Sequence, residues 1–323
     1  MTAPHPSRVW ILTDGKAGDE QPLIGIAEAM GCAPELRRVK PRPLCALTMP
    51  WGPIDPKDAP QKPGSPLAPP YPDICLATGR RAVAYLRALK RLSPQTFTVF
   101  FKDPRTKRHS ADLVVLQRHD SGRDAGNALI VTTAPNRIAP ERLAAIRQTP
   151  PADLASLPHP RLAVLIGGDS RHHRFTPEDI AAFVAGLQAR LDAGDALMMT
   201  TSRRTPAALA QALRPLEHHP HVRLWTGSGD NPLLPYLALA DGVIVTADST
   251  NMIGDAATTG RPVFIFHPSG GHPKTARLID ALSKEAAIRS FPPREIEGSY
   301  PPVNSTQIIA RTVLERWRAT QSR

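Results

Sequence analysis

The residues best suited to binding an anion lie between two short apolar runs. Residues 241–266 read D-G-V-I-V-T-A-D-S-T-N-M-I-G-D-A-A-T-T-G-R-P-V-F-I-F. Val- and Ile-rich runs of this length are typical of strands buried on both faces. Ser249, Thr250 or Asn251 can cap a helix that ends at Gly260. The segment therefore predicts a strand, a polar loop, a helix and a second strand.

Such a unit gives its polar loop a chemistry suited to phosphate. In a parallel sheet, loop residues 246–251, which include Thr246 and Asp248, emerge at the carboxyl edge beside a helix N-terminus that favours anions. Asp255, about one turn further on, has a carboxylate that can accept hydrogen bonds from a ribose diol. The alternative is that the polar side chains only cap the helix, and the isolated stretch favours neither reading.

A second polar loop, near the N-terminus, has residues suited to acid–base chemistry. Apolar residues 9–12 predict a strand, residues 13–20 a loop, and Pro22 the first turn of a helix. The residues that could act on a ligand are Asp14, Lys16, Gly18 and Asp19. Glycines let the backbone approach a ligand, and the carboxylates and the amine can handle a proton or an anion. Ordinary loop and cap roles for the aspartates are the alternative, because the G-x-x-G spacing is not a dinucleotide fingerprint.

Polar groups also follow several other predicted strands. Arg80 and Arg81 come after residues 74–77 and could meet phosphates or be solvated. In the second half of the chain the corresponding candidates are Gly167, Gly168, Ser202, Arg203 and Arg204. Carboxyl ends of parallel strands share one sheet edge, so the Ser202–Arg204 segment and the 246–251 loop are expected at one edge. Arg203 and Arg204 are equal candidates for a diphosphate.

The positive charge is concentrated in the N-terminal half. The 323 residues have a formal charge of +11; residues 1–150 contain 22 Lys/Arg against 13 Asp/Glu, and the remainder 18 against 16. A basic half suits nucleic acid, an anionic membrane or a phosphorylated ligand. Zinc-finger spacing, RNP-like aromatics and bZIP heptads are missing from the sequence, which argues against nucleic acid. Residues 41–72 contain eleven prolines and predict an irregular, partly polyproline-like surface excursion.

Several other classes of protein are unlikely on sequence grounds. Cys32, Cys45 and Cys75 form no CxxC motif, which favours reduced thiols. The absence of H-E-x-x-H, D-x-D and G-x-S-x-G motifs argues against a bound metal and a nucleophilic serine. No signal peptide and no run of about 18 apolar residues is present, so we expect a cytoplasmic protein that at most rests on a membrane. The basic residues expected to contribute to such a contact are Arg80, Arg81, Arg87, Lys90 and Arg91.

The chain contains two successive regions, and in each of them predicted strands alternate with predicted helices. This alternation predicts an α/β protein with parallel sheets. We predict an N-terminal domain over residues 1–150, a Pro-rich linker over 151–160 and a C-terminal domain over 161–323, each Rossmann-like and doubly wound.

Taken together, the motifs resemble the elongated-mitochondria family, which is associated with mitochondrial fission in plants and is abundant in bacteria. They occur in this order: T-D-G-K-A-G-D-E-Q, G-R-R, K-D-P-R, A-P-N-R-I, I-G-G-D-S, T-T-S-R-R-T-P and V-T-A-D-S-T-N-M-I-G-D-A. The resemblance covers nearly the whole chain. The sequence departs from the family pattern at Asp255, where Glu is expected, and at Asn251, where a smaller residue is expected.

The resemblance implies a GT-B-like glycosyltransferase fold, with two domains facing a central cleft, most similar to the lipid-linked GlcNAc transferases. It implies a nucleotide-sugar as donor substrate on the C-terminal side, no cofactor, and a lipid-linked or saccharide acceptor on the N-terminal side, where Lys16, Gly18, Arg80 and Arg81 lie. The expected activity is an inverting glycosyl transfer in cell-envelope polysaccharide or lipopolysaccharide assembly, at the inner face of an anionic cytoplasmic membrane.

The acceptor-activating base is expected in the first loop, with Asp19 preferred over Asp14. His119 and Asp120, after a later strand, are next in line. Two other functions remain open: an adaptor that kept the fold and lost catalysis, and a nucleotide-sugar epimerase or hydrolase.

Overall fold

The computed structural model describes residues 4–118 and 126–321. The chain forms two compact units. Unit 1 comprises Met1–Arg137 and Asn304–Arg323, and unit 2 comprises Ile138–Val303. Each unit is built on a six-stranded sheet with only parallel neighbours.

The sheet of unit 1 has the strand order β2-β1-β3-β4-β5-β6. Its strands are β1 (Val9–Thr13), β2 (Pro34–Arg38), β3 (Ile74–Thr78), β4 (Phe97–Phe101), β5 (Leu113–Gln117) and β6 (Ala128–Val131). Alternate side chains of β1 enter separate cores, Val9 and Ile11 on one face and Trp10 and Leu12 on the other. Because both faces are covered, β1 is fully buried, as its continuous apolar sequence predicts.

Helices cover both faces of this sheet. They are α1 (Ala17–Ala29), α2 (Pro43–Thr48), a 3-10 turn (Pro56–Asp58), α3 (Ala82–Leu92) and the last helix of the chain, α11 (Ser305–Gln321). α11 packs beside α1 through Ile309, Val313 and Trp317. Its start is fixed by Ser305, whose Oγ lies 3.1 Å from the Thr133 backbone nitrogen and accepts its hydrogen bond.

The sheet of unit 2 has the order β10-β9-β7-β11-β12-β14. Its strands are β7 (Arg161–Leu165), β9 (Ala196–Thr200), β10 (Val222–Trp225), β11 (Gly242–Thr246), β12 (Val263–Phe266) and β14 (Ile288–Ser290). A separate antiparallel pair joins β8 (His173–Arg174) to β13 (Ser269–Gly270). The helices are α4 (Pro140–Gln148), α5 (Ala152–Ala155), α6 (Pro177–Asp192), α7 (Ala207–Glu217), α8 (Leu233–Leu239), α9 (Thr250–Ala257) and α10 (Pro273–Ser283).

Both faces of this second sheet are covered as well. On β7, Ala163 and Leu165 enter one core and Leu162 and Val164 the other. The doubly wound α/β class predicted from the sequence is therefore confirmed for each unit.

The unit boundaries differ from the predicted domains. The division falls between Arg137 and Ile138, so α4 and the predicted linker 151–160 belong to unit 2. Ile138, Leu143, Leu154 and Leu157 pack into its core, which explains why this proline-rich stretch is not a free linker. α11, predicted as part of the C-terminal domain, belongs to unit 1.

The proline-rich segment, residues 41–72, is more ordered than predicted. It contains α2 and the 3-10 turn, and buries Met49 and Leu67 in the core beside α3. The buried Asp55 carboxylate accepts hydrogen bonds from Arg42 and from the Lys57 backbone nitrogen, and these bonds fix the turn. No helix among the described residues has the length and apolar character needed to cross a bilayer.

Candidate functional site

The strand order of unit 2 reverses between β7 and β11. β9 and β10 lie on one side of β7, whereas β11, β12 and β14 lie on the other. In open α/β sheets the crevice outside the carboxyl ends of the two strands at such a point is the preferred ligand position. Here the loop after β7 contains Gly167 and Gly168, and the loop after β11 leads into α9. Two of the predicted donor segments therefore flank one point of the edge.

Asp248 joins these two loops. Its side chain is 0% exposed, and Oδ2 accepts hydrogen bonds from the Gly168 backbone nitrogen at 3.0 Å and from Arg204 Nη2 at 2.8 Å. Oδ1 accepts from Thr246 Oγ1 at 2.7 Å, and Thr246 Oγ1 accepts from the Gly167 backbone nitrogen at 2.8 Å. A buried carboxylate with three donors holds its neighbours in place. Asp248 and Thr246, predicted to contact the donor, are engaged in fixing the loops.

The two glycines are required by this packing. A Cβ on Gly167 would lie 2.2 Å from the Asp248 carboxylate oxygens, and one on Gly168 would lie 1.9 Å from the Arg204 carbonyl oxygen. Close approach between protein segments therefore accounts for both glycines, which the sequence assigned to donor binding.

The segment after β9 separates the roles of its two arginines. Arg204 is bound to Asp248 and, through Nη1, to the Asp169 carbonyl oxygen at 3.3 Å. The Arg203 side chain is exposed, and no partner for its guanidinium is found in the part of the chain that the structure describes. Ser202 donates to the Gly167 carbonyl oxygen at 3.0 Å and accepts from the Arg204 backbone nitrogen at 3.1 Å. Of these residues, Arg203 is the one with its donors available to a ligand.

The N-terminus of α9 is formed as predicted. Ser249 is the N-cap, with its Oγ 3.4 Å from the Met252 backbone nitrogen, and the first helical bond runs from the Ile253 nitrogen to the Ser249 carbonyl oxygen. The backbone N–H groups of Thr250 and Asn251 precede that bond, so they are the ones a helix N-terminus offers to anions.

Asp255 lies one turn further along α9 and is half-buried. The helix therefore places the predicted ribose-binding carboxylate on the element whose N-terminus carries the 249–251 segment.

Several histidines lie next to the carboxyl edge of the unit 2 sheet, and the sequence did not predict this cluster. The rings of His172 and His272 lie 4.3 Å apart, because pairing of β8 with β13 joins their loops. Burial lowers the pKa of His173, although nearby Asp248 opposes the shift, and burial lowers the pKa of His267. These two imidazoles are therefore neutral at pH 7. The sequence gives no signal for this cluster, because two-residue strands have no periodicity.

In unit 1 the strand order reverses between β1 and β3. The first loop lies there, and α1 begins at Ala17, earlier than predicted, so Asp19 lies in its first turn and Pro22 inside the helix. The N-cap is Lys16, which makes no side-chain cap. The alternative in which Asp19 caps the helix is therefore wrong.

A buried carboxylate orders this loop. Glu20 accepts hydrogen bonds from Thr13 Oγ1 at 3.1 Å and from Arg38 Nε and Nη2 at 2.7 and 2.9 Å. The Arg38 hydrogen bond lowers the pKa of Glu20, against the effect of burial. Sequence analysis missed this role, because Arg38 lies on β2, a strand that the apolar pattern does not reveal.

The two predicted base candidates have different surroundings. Asp14 is 10% exposed; its Oδ2 pairs with Lys16 Nζ at 2.9 Å, while its Oδ1 is buried without a hydrogen-bond partner among the described residues. Asp19 Oδ1 lies 2.6 Å from Lys102 Nζ. Lys102 has φ +74°, a left-handed conformation uncommon for a residue other than glycine. Gly18 has open space where a Cβ would lie, so no packing contact requires a glycine there.

Of the neighbouring arginines Arg80 and Arg81, one is bound to the protein and the other has no partner among the described residues, as for Arg204 and Arg203 in unit 2. Arg80 donates from Nη1 to the Met49 carbonyl oxygen at 2.8 Å and from Nη2 to the Ala46 carbonyl oxygen at 2.9 Å. It therefore anchors the proline-rich segment, a role the sequence did not suggest. Arg81 is half-buried, and its guanidinium has no partner within residues 4–118 and 126–321.

Two further sequence expectations concern metal and the alternative base. Within the described ranges no group of three or more His, Cys, Asp or Glu side chains is arranged to hold a metal ion. His119 and Asp120, the next candidates for the base, lie outside the described residues.

The fold places the chain among GT-B-like proteins, as predicted. It is similar to a putative UDP-N-acetylglucosamine 2-epimerase from Listeria monocytogenes (TM-score 0.53, 11% identity, 98% of this chain and 90% of that one). It is also similar to the UDP-GlcNAc 2-epimerase from Methanocaldococcus jannaschii (TM-score 0.51, 11% identity, 95% of this chain and 99% of that one). A third similar structure is the UDP-GlcNAc 2-epimerase from Neisseria meningitidis, solved bound to UDP-GlcNAc (TM-score 0.50, 13% identity, 95% of this chain and 100% of that one). At identities of 11–13%, these similarities show that the fold is shared, and they show the fold alone.

The chain belongs to the mitochondrial fission ELM1 family, whose model matches residues 17–317. It is 27% identical over 270 residues to Mitochondrial fission protein ELM1 of Arabidopsis thaliana, and 30% identical over 161 residues to Uncharacterized protein RP120 of Rickettsia prowazekii (strain Madrid E). The matches cover 75% and 47% of this chain. The chain spans 63% and 45% of those relatives, less than two thirds of their length.

Proposed function

We propose that the protein is a glycosyltransferase that uses a nucleoside-diphosphate sugar bound by unit 2. The observation that carries this proposal is the reversal of strand order at β7 and β11, with the Gly167–Gly168 loop and the N-terminus of α9 at the same edge. Open α/β sheets bind ligands there, and a helix N-terminus favours phosphate. The shared fold with UDP-sugar epimerases supports a nucleotide-sugar as the ligand.

The donor diphosphate would bind the backbone N–H groups of Thr250 and Asn251 and the guanidinium of Arg203. Arg203 is preferred to Arg204 because Arg204 is bound to buried Asp248. Asp255 would accept hydrogen bonds from the ribose, one turn from the phosphates. Asp248 and Ser202 would act by holding the loops in position.

The reaction would be an inverting transfer without a covalent intermediate. The diphosphate leaves with its developing charge stabilised by helix N–H groups and Arg203, and a carboxylate of unit 1 takes the proton of the acceptor hydroxyl. The sequence prefers Asp19 as this base. Each aspartate is paired with a lysine, Asp14 through Oδ2 with Lys16 and Asp19 through Oδ1 with Lys102. We favour Asp14, because its Oδ1 is a buried acceptor without a hydrogen-bond partner among the described residues.

The acceptor would be a lipid-linked or other saccharide of the cell envelope, bound by unit 1 with the protein at the inner face of the cytoplasmic membrane. Arg81 is the preferred cation for an acceptor phosphate, because Arg80 is bound to backbone carbonyls. Lys16 pairs with Asp14, but its side chain is exposed and can contact the same phosphate. Gly18 supports a ligand near α1, because its missing side chain has no packing role.

Donor binding is tested by thermal shift and calorimetry with UDP, GDP and CMP sugars. A donor at a hundredfold excess over its Kd stabilises the protein by about 2.7 kcal/mol. Arg203→Ala should weaken binding about 10- to 100-fold, the loss of a charge-assisted contact. Arg214→Ala, an exposed arginine on α7, is the matched control and should bind as wild type. Unchanged affinity in Arg203→Ala rejects this donor site.

The base is tested with Asp14→Asn and Asp19→Asn. The substitution at the base should lower kcat by about 10²–10⁴-fold with donor affinity unchanged. Near-normal turnover in both variants would place the base elsewhere.

Two other functions have support of their own. The relationship to a plant protein named for mitochondrial fission favours a non-catalytic adaptor, for which no nucleotide-sugar shifts the melting temperature. The fold shared with 2-epimerases favours an epimerase or hydrolase, which would convert the donor without an acceptor. Mass spectrometry of each donor, incubated with the protein alone and with saccharide acceptors, distinguishes all three.

A further inference from the structure

The proline-rich segment presents three large apolar side chains to solvent. Leu44, Leu47 and Trp51 are 79%, 71% and 68% exposed. The other exposed large apolar side chains of the described residues reach only 41–43%. Isolated exposed apolar residues are ordinary, but a group of strongly exposed ones indicates an interaction surface.

The geometry of α2 and of the turn after it brings these three side chains close together. Leu44 and Leu47 are three positions apart on α2 and therefore share a face. α2 ends at Thr48, whose carbonyl oxygen accepts hydrogen bonds from the Trp51 and Gly52 backbone nitrogens at 3.1 and 2.8 Å. This turn folds Trp51 back beside the last turn of α2. We call Leu44, Leu47 and Trp51 the apolar tip.

The apolar tip stands on a rigid support. Ala46 on the inner side of α2 is buried, and Met49, which follows the helix, is buried in the core of unit 1. Arg80 binds the carbonyl oxygens of these same two residues. Arg87 Nη2 donates to the carbonyl oxygens of Trp51 and Gly52 at 3.0 and 2.5 Å. Hydrogen bonds from Arg80 and Arg87 to the backbone therefore fix the segment with the leucines and Trp51 facing outward.

The acidic and the basic side chains of the segment that carries the apolar tip differ in exposure. Both acids of residues 41–72 are turned inward: Asp55 is fully buried against Arg42, and buried Asp58 accepts a hydrogen bond from Tyr85. The basic side chains Lys40, Arg42, Lys57 and Lys62 are exposed. Arg87 also binds the Arg108 carbonyl oxygen, which brings the exposed basic loop containing Arg105, Lys107 and Arg108 next to Trp51.

The exposed basic residues of this segment and of the neighbouring loop are here called the basic rim: Lys40, Arg42, Lys57, Lys62, Arg105, Lys107 and Arg108. We infer that the apolar tip and the basic rim form a docking surface for an anionic lipid bilayer. Tryptophan and leucine at the headgroup boundary, with lysines and arginines reaching the lipid phosphates, is the arrangement that interfacial membrane anchors use. A second copy of the chain fits less well. Each partner in a stable interface buries about 800 Å² over 20–30 residues, far more than three side chains supply, and two such basic rims would repel each other.

This inference changes which residues make the contact. From the sequence, membrane attachment is expected of Arg80, Arg81, Arg87, Lys90 and Arg91. Arg80 and Arg87 are bound to carbonyl oxygens, and Lys90 is bound to Asp112 at 2.7 Å. Arg80 and Arg87 therefore support the docking surface, Lys90 lies apart from it, and none of the three forms the membrane contact. The inference does not depend on the nucleotide-sugar proposal.

The test is flotation of the full chain with vesicles of phosphatidylcholine alone and of phosphatidylcholine with phosphatidylglycerol. Wild type should bind the anionic vesicles at low salt, bind less at high salt, and show quenching of Trp51 by brominated lipid. Trp10 and Trp317 are buried and so give little quenching. Trp225 of unit 2 is half-buried, so the quenching is measured in a Trp225→Phe background. Leu47→Ser/Trp51→Ser should lower partitioning at least about tenfold. Lys40→Gln/Lys62→Gln should lower it on anionic vesicles alone.

Leu92→Ser removes an exposed leucine at the end of α3 and is the matched control, expected to bind as wild type. Circular dichroism checks that each variant is folded, and the brominated-lipid measurement leaves the apolar tip unchanged. The inference is overturned if wild type ignores anionic vesicles, or if Leu47→Ser/Trp51→Ser binds them normally. Concentration-dependent dimers that this double variant abolishes, without vesicle binding by wild type, would instead assign the surface to a second copy.

Discussion

Replacing Asp248 by Asn tests whether this carboxylate holds the candidate donor site together. The substitution preserves shape but removes the charge and one acceptor oxygen. One acceptor position would then carry an NH₂ group facing either Thr246 or the Gly168 and Arg204 donors. Arg204 is 42% exposed, so water replaces part of its lost contact. We therefore expect about 2 kcal/mol of lost stability, within the range for charge-assisted hydrogen bonds.

Asp248→Ala should cost more, about 3–5 kcal/mol, because it leaves the Gly168 N–H and the Thr246 hydroxyl buried without an acceptor. The assay is urea unfolding followed by circular dichroism, with the midpoint expected to move at constant slope. A double-mutant cycle with Arg204→Gln should give a coupling of about 1–2 kcal/mol.

The matched control is Asp280→Asn, which breaks the exposed pair of Asp280 and Lys284 on α10 and should cost less than about 0.5 kcal/mol. If Asp248→Asn proves as harmless as this control, Asp248 does not fix the two loops, and the assignment of Arg204 to a positioning role loses its basis.

Three further predictions concern single residues. Gly168→Ala should destabilise by about 1–3 kcal/mol through the clash with the Arg204 carbonyl oxygen, whereas Gly18→Ala should stabilise α1 by up to about 1 kcal/mol; equal melting temperatures would contradict both. Because the Arg38 hydrogen bond depresses the pKa of Glu20, its stabilisation is present above the unfolded-state pKa of about 4.3 and is lost as the pH falls through the lower folded-state value. Glu20→Gln should therefore lower the free energy of unfolding by about 1 kcal/mol at pH 7 and make it fall less steeply as the pH is lowered into the acid range. An unchanged dependence of the unfolding free energy on acid pH would refute the pairing. Lys102→Gly should be more stable than Lys102→Ala by about 1 kcal/mol in thermal unfolding, because only glycine relieves the left-handed backbone at φ +74°; equal stabilities would show that this conformation is not maintained.

The repeated strand–helix pattern was readable because each local segment carries it. The strands β1 and β3 lie where their apolar runs predicted them, and α9 lies between β11 and β12 as residues 241–266 predicted. Ser249 caps α9 as its sequence indicates, since capping depends on neighbours within one turn. β2, β8 and β13 were not predicted, because short or exposed strands have no apolar run.

The sequence by itself determined the α/β class and the polar loops that end the strands, because burial on both faces of a sheet dictates local composition. Only the tertiary structure decided which residue in each loop is free. Neighbouring arginines 203 and 204 are equivalent in sequence, yet Arg204 meets Asp248, more than forty residues away, and Arg203 does not. Asp14 pairs with Lys16 of its own loop, whereas Asp19 pairs with Lys102 on a distant loop. Likewise, only the tertiary structure assigns α11 to unit 1, whose sheet it covers. Such pairings arise from side chains that only folding brings together, so no local pattern records them.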